Sequence, residues 1–290
     1  MLVLLLNTPA LFFGEPIEQE LGFATASDGT RIAYATSGAG PAIVQVMSVN
    51  THLQSGQSSP IYDNDGLLAL SSRDNLFVRY DGRGTGLSDR DARDFSLSAR
   101  VSDIEAVVDA LGLERFAILA ISAGGQAAIA YAADHPERVT RLVLAGALAS
   151  YQFGDEPVFS KEMLDLVETS WQRPMIANMF ADLLLSPGGN ALDRSFVSEM
   201  LRRANDGPAL AAFYRASGEI DVSDAAKRIR VPTLVIQARD DAIVPLEIGR
   251  AQASVIPGAK LEIVEGGHMA SSASTAETRR RALEFLVNGI

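Results

Sequence analysis

The chain contains no cysteine. That excludes disulfides, a thiolate nucleophile and any Cys-based metal site. Histidine is nearly as scarce. His52, His135 and His268 are the only three in 290 residues, so a His-rich metal site would consume almost the whole supply, and no metal is expected. Positive charge is in deficit, with 25 Lys and Arg against 36 Asp and Glu and a net charge of -11. Nucleic acid and anionic membrane surfaces both select basic patches, so neither is expected as a partner. The basic clusters Arg279, Arg280, Arg281 and Lys227, Arg228, Arg230 read as solvated faces. No apolar run is long enough to span a bilayer. Residues 1–6 are strongly apolar, but Asn7 and Pro9 interrupt the run and no Lys or Arg precedes Arg31. This is unlike a secretory signal, and the expected location is cytoplasmic.

What remains is an ordinary globular composition, 47% apolar and 21% charged, at a length that suits one large α/β domain or a domain with an insertion. Residues 17–25 and 31–36 read as strands around the turn signal Ser27-Asp28-Gly29, a hairpin. Residues 42–46 and 75–80 are further strands, with a short helix expected near 67–70. The loop 81–89 is dense in glycine, but it lacks the Gly-Lys-Ser/Thr end of a phosphate-binding loop. Its glycines are expected to permit a tight turn beside the site. Leu97, Val101, Ile104, Val108 and Leu111 recur at helical spacing, and Gly112 is a natural stop. From about residue 150 to 224 the strand pattern disappears. Apolar residues there fall into helical groups separated by Pro174, Pro187 and Pro208. The sole tryptophan, Trp171, lies in this stretch and is expected to be core packing within it. Strands return at 233–237 and 260–264, and a closing helix is expected at 276–287.

Residues 115–134 are the most informative stretch. A short apolar run, Phe116 to Ile121, suits a buried parallel strand. Ser122 follows among small residues, with Ala120 and Gly124 on either side, and an Ala-rich helical stretch comes next. A strand, a sharp turn tipped by serine and a helix form a nucleophile elbow, although the usual first Gly is here Ala120. The pentapeptide alone also describes a serine that caps a helix, and residues downstream carry the rest of the case.

Over nearly its whole length the chain resembles the α/β-hydrolase superfamily. Within it, the likeness is to a bacterial group found fused to, or encoded beside, nucleotide cyclases and helix-turn-helix regulators. The segments that carry it include Arg31-Ile-Ala-Tyr-Ala-Thr-Ser-Gly38, Asn50-Thr-His-Leu53, Arg79-Tyr-Asp-Gly-Arg-Gly-Thr-Gly-Leu-Ser-Asp89, His135-Pro-Glu-Arg-Val139 and Val231-Pro-Thr-Leu-Val235. The resemblance implies a mostly parallel α/β-hydrolase sheet flanked by helices, with an inserted helical cap. The hydrolase core would be residues 1–149 and 225–290, and the cap 150–224.

In that family the catalytic groups arrive in the chain order Ser, acid, His. The resemblance therefore implies Ser122 as nucleophile, His268 as base and Asp241 as the acid that orients it. Neighbours on an extended segment point opposite ways, so only one of Asp240 and Asp241 can face the histidine. The family pattern selects Asp241. His135 is expected at a surface turn, and His52, on the loop after the third strand, is a possible substrate contact. The oxyanion donors would be the backbone N–H groups of Ala123 and, from the loop after the third strand, Val49, with Ser48 and Asn50 as alternative registers. Many members carry His-Gly where this chain has Met47-Ser48. The expected activity is hydrolysis of a carboxylic ester with a small or medium, largely apolar acyl or alcohol part and no cofactor. The same triad could instead serve a lactone, a C–C bond or perhydrolysis. A third reading is a ligand-binding sensor that keeps the fold without turnover.

Overall fold

The structure, a computed structural model, describes residues 18–47, 49–54, 74–150, 152–153, 156–188, 191–271 and 276–289. The helix expected near 67–70 lies outside these residues. The sheet begins with the expected hairpin, β1 (Glu20–Thr25) antiparallel to β2 (Arg31–Ser37). It continues through β3 (Ala42–Val46), β4 (Leu76–Tyr80), β5 (Phe116–Ile121), β6 (Val139–Ala145), β9 (Thr233–Ala238) and β10 (Lys260–Val264). The order across the eight strands is β1-β2-β4-β3-β5-β6-β9-β10. From β4 onward every neighbouring pair is parallel. β3 and β5 are buried along their whole length, as expected of central parallel strands covered on both faces.

Side chains of a strand alternate between faces, and the core divides accordingly. Val44, Val46, Ile118 and Ala120 face one layer with Ile104 and Val107 of α1 (Leu97–Ala110) and the alanines of α2 (Gly125–Asp134). Ile43, Leu119 and Ile121 face the other with Ala282, Phe285 and Leu286 of α10 (Ala276–Asn288). The Ser96 Oγ caps α1 by accepting from the Ala99 N–H at 3.3 Å, and Gly112 ends it at a φ of +63° that favours glycine.

Between β6 and β9 lie a two-residue hairpin, β7 (Gln152–Phe153) with β8 (Glu156–Pro157), and then α3 (Lys161–Ser170), α4 (Pro174–Leu185), α5 (Ala191–Ala204), α6 (Gly207–Glu219) and α7 (Ser223–Arg228). The small hairpin departs from the expectation that strands disappear here. At two residues per strand, it is too short to leave a periodic pattern. Pro174 and Pro208 prove to be first-turn prolines of α4 and α6, where a missing N–H costs nothing. Trp171 is buried in a cluster with Phe180, Leu201 and Phe213, as expected. The same cluster takes in Val49, Ala123 and Val244 from the strand-end loops.

One charge expectation is corrected. Arg280 and Arg281 pair with Glu284, Glu262 and Glu277 on the surface, but Arg279 is only 9% exposed. Arg279 stands three and seven residues before Ala282 and Leu286, on the face of α10 that packs on the sheet. After α8 (Leu246–Val255) and β10 comes a short helix, α9 (His268–Ser271). Among the described residues no helix is long and apolar enough to cross a membrane.

Candidate active site

Ser122 sits directly after β5 and has a φ of +49°. A residue with a Cβ rarely adopts that conformation without surroundings that enforce it. The enforcement is steric. A Cβ on Gly124 would lie 2.0 Å from the Val46 carbonyl oxygen, and one on Gly125 would lie 2.8 Å from the Leu148 N. The helix can thus start immediately behind the strand only with small residues there, and the serine is forced to the tip of the turn.

His268 opens α9, after two glycines with separate jobs. Gly266 has a φ of +108°, and a Cβ on Gly267 would meet the Ser186 carbonyl. The end of α4 therefore leans on the histidine loop. His268 Nε2 is 2.9 Å from Ser122 Oγ, and its Nδ1 is 2.9 Å from Asp241 Oδ2. Both the imidazole and the carboxylate are almost fully shielded from solvent, at 1% and 0%. Asp240 is exposed, whereas Asp241 is turned inward.

Asp241 is held at both oxygens. Oδ1 accepts from the N–H groups of Ile243 and Val244 at 2.9 and 2.8 Å, and Oδ2 accepts from Gln237 Nε2 at 3.1 Å. Burial pushes this carboxyl up, but His268 and the backbone donors outweigh it, and the group rests below the usual carboxylate range. An ionised Asp241 makes Nδ1 of His268 the protonated nitrogen. Nε2 then carries the lone pair and accepts from the serine hydroxyl. Gln237 was not singled out in the sequence. Its signal is a polar residue inside the apolar strand run Thr-Leu-Val-Ile-Gln-Ala.

Val49 and Ala123 line a small cavity together with Ser122, His268 and Leu184. Its free volume is about 20 Å³, room for about one water molecule. Ser48 lies outside the described residues. His52 is partly buried and acts electrostatically on Asp81 rather than lining this cavity. His135 ends α2 and packs on Tyr131 at 4.6 Å, as expected for a residue of the far turn.

The glycine-rich loop 81–89 meets the loop after β3 through Asp81. This buried carboxylate accepts from the N–H groups of Leu53 and Leu87 at 3.2 and 2.8 Å. A Cβ on Gly86 would fall 2.1 Å from its Oδ2. Burial raises the Asp81 carboxyl above its ordinary range against the pull of those donors. Arg83, also buried, pairs with Asp103 at 2.8 Å and Asp28 at 2.7 Å. That hydrogen bond from Arg83 holds the Asp28 carboxyl down to about 2. Among the described residues no three His, Asp or Glu side chains are grouped to hold a metal ion.

Residues 57–272 match the family described as alpha/beta hydrolase fold. The chain belongs to the α/β-hydrolase family. It is similar to a putative carbamate hydrolase, RutD, from Caulobacter sp. (strain K31), with 32% identity over 226 residues, 75% of this chain and 82% of that protein. It is similar to the 2-hydroxymuconate semialdehyde hydrolase of Pseudomonas putida, with 33% identity over 221 residues, 72% and 75% of the two chains. Among solved structures, a hydrolase from Pseudomonas aeruginosa PA01 superposes with a TM-score of 0.78 at 26% identity, covering 92% of this chain and 98% of that one. The family assignment accounts for the strand order. The serine follows a central strand, the acid and histidine follow strands toward one edge, and all three loops leave the carboxyl ends of parallel strands, where open α/β sheets bind ligands.

Proposed function

We propose that this α/β-hydrolase cleaves a small carboxylic ester by acyl transfer through Ser122, His268 and Asp241. The observation that carries the reading is the bridging position of His268, 2.9 Å from Ser122 Oγ on one side and 2.9 Å from Asp241 on the other. Ser122 Oγ attacks the acyl carbon while its proton passes to His268 Nε2. Asp241 stabilises the imidazolium. The N–H groups of Val49 and Ala123 receive the oxyanion. His268 returns the proton to the departing alcohol, and water, deprotonated by the same nitrogen, releases the acid from Ser122. In this reading residues 150–224 form a cap over the core 1–149 and 225–290, and the small apolar cavity selects a short acyl group.

A second reading keeps the three side chains and changes the bond. It is favoured by the two relatives named above, one called a carbamate hydrolase and one a semialdehyde hydrolase. The sequence likeness to the regulator-associated bacterial group motivates a third, a ligand sensor without turnover.

The test is labelling by a fluorophosphonate with mass mapping, beside hydrolysis of short p-nitrophenyl esters, in wild type and Ser122→Ala. Labelling at Ser122 with turnover that the variant loses is the expected result. Labelling without ester turnover moves the assignment to another acyl or C–C substrate. A folded wild type that takes no label sinks the acyl-transfer reading and leaves the sensor.

A further inference from the structure

Residues 49–54 follow β3 and carry the proposed oxyanion donor, Val49. The next residue, Asn50, has a φ of +59°. Asparagine tolerates this left-handed conformation better than other residues with a side chain, but does not choose it unaided. Its side chain is gripped at both ends by the helical segment. Asn50 Nδ2 donates to Tyr214 Oη at 3.3 Å, and Asn50 Oδ1 accepts from Asn205 Nδ2 at 2.8 Å.

Both partners are themselves fixed. Asn205 is 1% exposed, sits between α5 and α6, donates also to the Leu201 carbonyl at 3.1 Å, and accepts from Trp171 Nε1 through its own carbonyl at 3.2 Å. The Tyr214 ring is wedged against Phe159 and Phe213, with centroids 4.3 and 5.4 Å away. Asn50 is the most adaptable member of the three. The other end of the loop is tied to the core by Asp81, and by Thr51 Oγ1 against Thr85 Oγ1 at 3.2 Å. The Gly86 N–H closes the ring by donating to the Ala204 carbonyl at 2.9 Å, one residue before Asn205.

We propose that Asn205 and Tyr214 are positioning residues: they clamp Asn50 in its left-handed conformation and so aim the Val49 N–H at the acyl oxygen. The helical segment is then part of the oxyanion machinery as well as a cover. This departs from a rigid backbone site by making the donor dependent on two side chains from another layer of the fold. It rests on the reading of Ser122 as the nucleophile.

The experiment measures the second-order rate of Ser122 phosphonylation by a fluorophosphonate, with kcat and KM for p-nitrophenyl acetate. The proteins are wild type, Asn205→Ala, Tyr214→Phe, Asn50→Gly and Asn50→Gly combined with each of the other two. Loss of an oxyanion donor's aim is expected to lower labelling and kcat about 10- to 100-fold in Asn205→Ala and Tyr214→Phe, with KM within about threefold. Glycine adopts the left-handed region freely. In the Asn50→Gly background the second substitution is therefore expected to change the rate by less than about threefold. Packing damage would not be rescued in this way. Tyr214→Phe removes a single oxygen and keeps the test valid should Asn205→Ala fold poorly.

A wild type that labels while the single variants label equally fast overturns the clamp alone. So does an Asn205 or Tyr214 effect that persists undiminished with Asn50→Gly. A wild type that never labels overturns both the clamp and the reading beneath it.

Discussion

Asp241→Asn removes one charge and changes one oxygen to nitrogen, and the geometry dictates which oxygen. Oδ1 accepts from two backbone donors, Ile243 N and Val244 N, at 2.9 and 2.8 Å. An amide nitrogen there would oppose two N–H groups that cannot rotate. The asparagine must keep its carbonyl at that position and place its NH2 where Oδ2 was, facing Gln237 Nε2 and His268 Nδ1. Gln237 could turn its own oxygen toward the new donor, but it would then give up the 2.6 Å bond from Nε2 to the Val244 carbonyl. His268 is the group that yields. Its Nδ1 lies 2.9 Å from the new NH2 and 3.1 Å from the retained carbonyl, and accepting from the nearer NH2 moves its proton to Nε2, the nitrogen 2.9 Å from Ser122 Oγ. A protonated Nε2 cannot take the serine proton.

The expected cost of holding the base in the wrong tautomer is about 10⁴ in kcat, or about 5.4 kcal/mol of transition-state stabilisation. Fold stability is expected to fall by only about 1–3 kcal/mol, the range for one compromised buried hydrogen bond. The assay is stopped-flow hydrolysis of p-nitrophenyl acetate beside the fluorophosphonate labelling rate, with urea unfolding as control. A folded variant that keeps more than a tenth of wild-type rates in both assays would refute the reasoning, because a base presenting an N–H to the serine has no route to that activity.

Three further outcomes are expected. Gly124→Ala places a methyl 2.0 Å from the Val46 carbonyl, a backbone atom with no room to give; urea unfolding should show a loss of at least about 1–3 kcal/mol, the usual cost of overpacking, and an unchanged midpoint would contradict the close approach. Leu184→Ala enlarges the cavity beside Ser122 and should raise the butyrate-to-acetate preference in kcat/KM at least about tenfold, since a single methylene is worth about 1–3 kcal/mol of discrimination; an unaltered preference would remove Leu184 from the acyl site. Asp28, at about 2 in the folded chain against 3.8 ordinarily, contributes stability that is fully present above the ordinary value and lost as pH falls toward 2. The urea midpoint of Asp28→Asn should therefore trail wild type by a constant amount at neutral pH, and the gap should narrow below about pH 4; a gap independent of pH would break the assignment to Arg83.

The elbow was legible because it is local. One apolar strand, small residues at 120 and 124 and an Ala-rich helix lie within twenty residues, which marks the turn though not the role of Ser122, and the β1–β2 hairpin and α1 were legible for the same reason. Asp241 and His268 were legible only through the family's chain order. Nothing near Asp241 in the sequence tells it from Asp240, and the burial that separates them is a property of the packed fold. The Asn50 contacts span 155 and 164 residues. Polar pairs at such separations leave no periodicity, and an asparagine on a polar loop looks like solvent-facing turn chemistry. Arg279 misled for a related reason, since a run of like charges hides which member the helix turns inward.

The distribution of these long-range contacts says how the helical segment is built onto the core. α6 is fastened to it at separate points. Tyr214 meets the loop after β3, and Gln126 of α2 donates to the carbonyls of Ser217 and Ile220 at 3.0 and 2.8 Å. Buried Arg100 of α1 reaches both Ser217 Oγ and Gln126 Oε1, with its guanidinium over the Phe213 ring. Lifting α6 would strip hydrogen bonds from buried polar groups in several layers at once, each costly to leave unmade. α4 and the start of α5 present the contrast. Met175 and Leu192 are 69% and 82% exposed, and Met175, Met179 and Leu183 line an outer groove. The opposite side of the same helix end supplies Leu184 to the cavity, and Ser186 touches the histidine loop. α5 is fastened at its far end as well, where the Gly86 N–H and Arg90 Nη1 donate to the Ala204 carbonyl at 2.9 and 2.7 Å. The loop after β3 is thus tied to the helical segment on both sides, through Asn205 just past α5 and Tyr214 of α6.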